Sequence, residues 1–210
     1  MLNNYITING KGEGEVIEKK SRFIAIAMPV STEDEVIKHI EETKKQYYDA
    51  RHNCYAYQIG KNSLIQRYSD DGEPKGTAGI PMLDILKGNN ITNALVIVTR
   101  YFGGTLLGTG GLVRAYSSAA KLAITNAGII QKVLHSIIHI NVDYTLAGKI
   151  QYEILNSGNI LKDILYTDRV EFIVLVDTND TNSFLESIIN ITNNTAKIID
   201  NGTTYVDKDI

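Results

Sequence analysis

The stretch from Ala94 to Gly128 leaves the chain few choices. Ala94 to Thr99 (ALVIVT) is almost continuously apolar and β-branched, which is the pattern of a strand covered on both faces. Next comes Arg100-Tyr-Phe-Gly-Gly-Thr-Leu-Leu-Gly-Thr-Gly-Gly111, with five glycines in the nine residues from Gly103. A helix is predicted from about Gly110 to Asn126, with Leu112, Val113, Tyr116, Ala120 and Ile124 available for packing and Gly128 as its stop. Whatever else the chain does, it must build a sheet around this strand and place a glycine loop at the sheet's end.

The residues before it supply partners. Gly14 to Lys19 and Arg22 to Val30 read as paired strands about a polar Lys19-Lys20-Ser21 turn. Ser31 to Glu35 offers an N-cap hydroxyl and first-turn carboxylates, so a helix is expected over about 32–48, with Val36, Ile37, Ile40 and Tyr47 as its apolar stripe. Cys54 to Ile59 and Ser63 to Tyr68 read as a hairpin, and a charged, glycine-rich loop runs from Ser69 to Gly79. Pro81 suits the first position of a short helix ending at Gly88.

Beyond Gly128 the chain changes character. Residues 1–131 carry 15 Lys+Arg against 13 Asp+Glu, whereas 132–210 carry 6 against 11, so the two parts differ as +2 and −5. The three prolines also lie in the first part. A boundary near Gly128 to Lys132 follows, with domains 1–131 and 132–210. In the second, Ile138 to Tyr144 alternates apolar and polar, Leu146 to Ser157 reads as a helix, and Ile160 to Tyr166 and Val170 to Val176 read as strands. A helix around Phe184 to Ile189 and a strand from Ala196 to Val206 complete a β-α-β-β-α-β order, that of a ferredoxin-like split βαβ unit in an α+β protein.

Composition narrows function. A net charge of −3 over 210 residues excludes a protein that coats nucleic acid with its whole surface, so any such contact must be local. The single Cys54 forms no internal disulfide, and Met1 to Gly10 lacks a basic segment followed by an apolar run. A reducing, cytoplasmic setting is expected, with no membrane span.

Three stretches could carry chemistry. In the glycine loop, helix N-terminal amides and close backbone approach make a natural anion site from Arg100, Gly103, Gly104, Thr105, Gly108, Thr109, Gly110, Gly111 and Arg114. The named phosphate motifs fail: Thr109 stands where a Walker loop needs lysine, and Val113 where a dinucleotide fingerprint needs a small residue. The alternative is that these glycines adopt positive φ and pack the loop, with no ligand. In Ser69 to Gly79, Asp70, Asp71 and Glu73 do not match calcium-loop spacing, and a solvated turn is the better reading. No metal is expected. His52 and Cys54, two apart on a strand, would share a face, yet a lone Cys usually behaves as a small hydrophobe. Catalytic residues are therefore expected to be none.

Tyr48-Asp-Ala-Arg-His-Asn-Cys-Tyr-Ala-Tyr57, Ser69-Asp-Asp-Gly-Glu-Pro-Lys-Gly-Thr-Ala-Gly-Ile-Pro-Met82 and Arg100 to Arg114 resemble the three signature blocks of the IMPACT/YigZ family. The resemblance spans roughly residues 15–125, and the remainder is similar to the C-terminal domain of bacterial members. It implies an N-terminal ribosomal protein S-five domain-2-like fold and a ferredoxin-like C-terminal domain resembling the last domain of elongation factor G. It marks Arg51, His52, Asp70, Asp71, Glu73, Lys75 and Thr77 as a candidate signature surface, and brings no catalytic residues. Eukaryotic relatives act on translation control, competing with an initiation-factor kinase for its ribosome-associated activator; bacteria lack that kinase. The resemblance thus implies a non-enzymatic translation-associated regulator binding ribosome, RNA or a translation factor. No cofactor, membrane or DNA sequence specificity is implied. The alternative is an enzyme or small-ligand binder using an anion site at the Gly103 to Gly111 loop.

Overall fold

A computed structural model describes residues 3–210. They form two compact units, one of residues 5–131 with 209–210, the other of residues 3–4 and 132–208.

In the first unit, β2 (Gly12–Glu18) and β3 (Ser21–Pro29) follow a short β1 (Asn4–Ile8), where the sequence pattern predicts no element. Glu18 pairs with Ser21, so Lys19 and Lys20 make a two-residue turn, at φ 45° and 68°. Positive φ at both turn positions matches the twist of the flanking strands. The buried run becomes β6 (Ala94–Tyr101), lying between β3 and β4 (His52–Ile59), and β5 (Ile65–Ser69) closes the far edge. The strand order is β2-β3-β6-β4-β5, with neighbours antiparallel.

Helices cover both faces, as the β6 sequence demands. Helix α1 (Glu33–Gln46) sets Val36 against Ile26, Met28, Tyr57, Leu95 and Ile97. Its cap is Thr32, whose hydroxyl accepts from the Glu35 amide, while Glu35 returns a carboxylate to the Ser31 amide at 2.6 Å. That carboxylate is held below its ordinary pKa mainly by the Ser31 amide. Ile37, expected on the apolar stripe, is 54% exposed. Helices α2 (Gly79–Gly88) and α3 (Gly108–Ala127) cover the other face, packing Met82, Leu86, Ala119 and Ala123 on Phe23, Cys54, Val96 and Val98. Helix α2 starts before Pro81 because the Asp70 carboxylate accepts from the Ala78 and Gly79 amides and caps it from outside.

The second unit runs β7 (Ile129–Val142), α4 (Tyr144–Asn156), β8 (Ile160–Tyr166), β9 (Val170–Asp177), α5 (Thr181–Ile191) and β10 (Lys197–Asp209). The five-stranded sheet runs β1-β7-β9-β8, with β10 also paired to β7. Strand β7 begins at Ile129, well before the expected Ile138. Ile150, Ile154, Phe184 and Ile188 of the helices bury one sheet face with Ile138, Ile140, Phe172 and Val174. No helix among the described residues is long and apolar enough to cross a membrane.

Candidate functional site

The segment from Ser69 to Gly79 leaves most of its amides without a ladder partner, and buried amides need acceptors. Asp70 supplies three. Its Oδ1 accepts from Ala78 and Gly79 at 3.1 and 2.8 Å, and its Oδ2 from Gly76 at 2.8 Å. Asp71 turns toward β4, where its Oδ2 accepts from the Asn53 amide at 2.7 Å and its Oδ1 lies 3.4 Å from Lys44 Nζ. Its carbonyl accepts from His52 Nδ1 at 2.8 Å.

Glu73 reaches inward. Its Oε1 accepts from Arg100 Nη1 at 2.7 Å and from the Tyr116 hydroxyl at 2.8 Å. Arg100 also lies over Phe23 and Phe102, 5.4 and 5.5 Å from their ring centres. The Cys54 thiol faces the Asp70 carbonyl at 3.0 Å and the Tyr116 hydroxyl at 3.4 Å. Burial pushes that thiol up, and nearby Glu73, Asp71 and Asp70 add to the rise against the opposing Tyr116 bond. Tyr116 is pushed up by burial first, then by Cys54 and Glu73. Both therefore keep their protons at neutral pH, and Cys54 lacks the thiolate a nucleophile requires. Three sequence-distant blocks, on β4, the 69–79 loop and β6 with α3, are thus clasped together by hydrogen bonds within one unit.

Outside this clasp, a cleft of about 450 Å³ is bordered by Asp49, Arg51 and His52 on one side and Arg100, Tyr101, Phe102 and Leu106 on the other. The Tyr101 hydroxyl donates to Asp49 at 2.6 Å, a bond that together with burial pushes the phenol up to about 12. Arg100 Nε is buried and has no hydrogen-bond partner.

The glycine loop is only partly free. The Gly103 amide donates to Ser21 Oγ at 3.1 Å, and a Cβ on Gly103 would stand 2.0 Å from the Lys20 carbonyl carbon, so this residue is pressed on the β2–β3 turn. Gly104 and Gly108 adopt φ 83° and 72°. Thr105, Thr109 and Gly110 are exposed, Gly111 is half-buried, and α3 begins without a side-chain cap. Arg114 is exposed, and among the described residues it has no carboxylate at ion-pair distance.

Several residues stand elsewhere than expected. Glu73 and Thr77 are not surface groups: each is under 9% exposed, and Thr77 donates to the Pro74 carbonyl at 2.7 Å. The loop folds back over the start of α2, which turns both inward. Arg100, expected as a phosphate ligand, has Nη1 committed to Glu73 at 2.7 Å, so it can offer another ligand only the opposite edge of its guanidinium. Asp70, Asp71 and Glu73 point to three different sets of donors, so they do not converge on a cation. Among the described residues, no three His, Cys, Asp or Glu side chains are gathered to hold a metal. Arg51 and Lys75 remain exposed, and His52 half-buried. The sequence alone does not single out Asp49, Phe102, Leu106 or the hydroxyl of Tyr116. A phenol within the alanine-rich buried stripe of α3 was the available signal for the last.

The architecture is that of a two-unit α+β protein whose signature loops are built around internal ion pairing rather than around an activated nucleophile. Residues 19–124 match the Impact N-terminal domain, and residues 140–195 match a domain of unknown function (DUF1949). The chain is 44% identical over 208 residues to the IMPACT family member YvyE of Bacillus subtilis (strain 168), covering 99% of this chain and 96% of that protein. It is 43% identical over 108 residues to the IMPACT family member YigZ of Escherichia coli (strain K12), covering 50% and 53% respectively. A crystal structure of a hypothetical protein superposes with a TM-score of 0.62 at 26% identity, covering 95% of this chain and 98% of the other. The chain belongs to the IMPACT family.

Proposed function

We propose that the protein is a non-enzymatic, cytoplasmic, translation-associated regulator that binds the ribosome, through its RNA or a bound factor, with the first unit. One observation carries this reading. The groups in the signature blocks best suited to chemistry are engaged inside the fold, Asp70 by the Gly76, Ala78 and Gly79 amides, Glu73 by Arg100 and Tyr116, and the Cys54 thiol by Tyr116, whereas those left at the surface, Arg51, Lys75, Arg114, Thr105, Thr109 and the Gly104, Gly108 and Gly110 amides, are hydrogen-bond donors. Donors without a paired base suit recognition of phosphates and carbonyls.

Family membership supports the translation role. The order β10-β7-β9-β8 with two helices on one face supports reading the second unit as ferredoxin-like, resembling the last domain of elongation factor G. The first unit is read as ribosomal protein S-five domain-2-like, with the domain boundary at 131/132. Co-sedimentation with ribosomes at low and high salt tests the function. Salt-sensitive pelleting that weakens with Arg114→Ala at unchanged thermal stability is expected. A protein that stays in the supernatant at low salt refutes the reading.

A further inference from the structure

The cleft between Arg51 and Leu106 is bordered by a side chain of the clasp whose hydrogen-bonding capacity is only partly used. Arg100 borders it with its guanidinium unequally used: Nη1 is bound to Glu73, while Nε is buried without a partner, on a side chain 8% exposed. A buried N–H of a charged group left unpaired is costly, and such groups occur where a bound species completes them. The guanidinium edge opposite the Glu73 contact, which includes Nε, is a fork that fits two oxygens of an oxyanion.

His52 stands directly opposite Arg100 in the β4–β6 register and borders the same cleft. Because a carbonyl can only accept, its bond to Asp71 places a proton on Nδ1 and leaves Nε2 for another partner. Arg51 adds an exposed full charge. The acidic group of the cleft, Asp49, is already engaged by the Tyr101 hydroxyl. Phe102 and Leu106, 54% and 83% exposed, form an apolar wall. The volume, about 450 Å³, lies in the range of small-molecule sites.

We propose that this cleft binds the phosphoryl group of a phosphate ester, held by Arg51, Arg100 and His52, with the organic part of the ester against Phe102 and Leu106. A planar carboxylate is satisfied by one guanidinium fork, whereas two guanidinium groups and the His52 ring, whose Nε2 donates in the imidazolium form, suit a tetrahedral oxyanion with oxygens on several sides. The assignment goes beyond the ribosome reading, since it requires binding by the free protein. The phosphate can come from a small metabolite or from a nucleic-acid backbone.

The test titrates isotope-labelled full-length protein at constant ionic strength with three probes: inorganic phosphate, adenosine 5′-monophosphate, and an RNA oligonucleotide with a 5′-hydroxyl. The readouts are the Arg100 Nε–H and His52 imidazole resonances. A saturable shift is expected, weakened about tenfold by Arg51→Gln, as for loss of a charge-assisted hydrogen bond. Lys87→Gln, on the exposed side of α2, should leave it unchanged. A shift with the mononucleotide assigns a small ester, and a shift with RNA alone assigns a backbone phosphate. No saturable shift with any probe, or equal affinity in Arg51→Gln, overturns the proposal.

Discussion

Glu73 and Arg100 meet at 2.7 Å with 3% and 8% of their side chains exposed, so one ion pair fastens the 69–79 loop to the end of β6 inside the core. Removing one partner strands the other. Arg100→Met leaves a buried carboxylate with only the Tyr116 hydroxyl, and a loss of about 3–5 kcal/mol in urea unfolding is expected. The double variant Glu73→Gln with Arg100→Met should be less destabilised than the two single losses summed, because no uncompensated charge remains.

Cys54 should be inert to thiol reagents in the native protein. Its thiol is wholly buried and pushed up by burial. Ellman's reagent at pH 8 should release no colour until urea is added, then one equivalent. Rapid native labelling would show the Cys54 environment to be open.

Gly103→Ala and Gly104→Ala separate close packing from backbone preference. The Gly103 Cβ would collide with the Lys20 backbone at 2.0 Å, whereas at Gly104 nothing lies within 4 Å and only the φ of 83° is unfavourable. Gly104→Ala should cost about 1 kcal/mol and Gly103→Ala clearly more, by thermal or urea unfolding.

Alkaline pH should weaken the fold through its tyrosines. Tyr101 is pushed up to about 12 by its Asp49 bond, and Tyr57 to about 12 by burial and then by Glu33, from the ordinary value near ~10. The folded state thus binds more protons than the unfolded one between these values. Stability is fully present below pH ~10 and falls as pH rises toward about 12. The urea midpoint should follow that course, and Tyr101→Phe should flatten it.

The sheet and helices were legible wherever one residue pattern sufficed. Ala94 to Thr99 could only be a central strand, and Lys19-Lys20 between two alternating runs could only be a turn. Elements defined by distant partners were not legible: β1 depends on β7, its neighbour in the sheet, and the start of α2 depends on Asp70. The site divided in the same way. Exposed Arg51 and Lys75 are where polar loop residues are expected and exposed Arg114 where the polar face of a helix is, but Glu73 and Thr77 look no different in sequence from solvated neighbours. Only the fold brings Arg100 and Tyr116 to Glu73, across separations that no local pattern encodes.

The three amides gathered on Asp70 form a nest of the kind that elsewhere captures phosphate. Here the occupant is covalently attached. Tethered through a few residues of its own chain, the carboxylate is present at an effective concentration of millimolar or above, so a free anion would have to outcompete a partner that never diffuses away. The loop consequently takes its shape without waiting for any ion. Whatever this family recognises, it meets an edge assembled in advance, and gains no affinity from filling that nest.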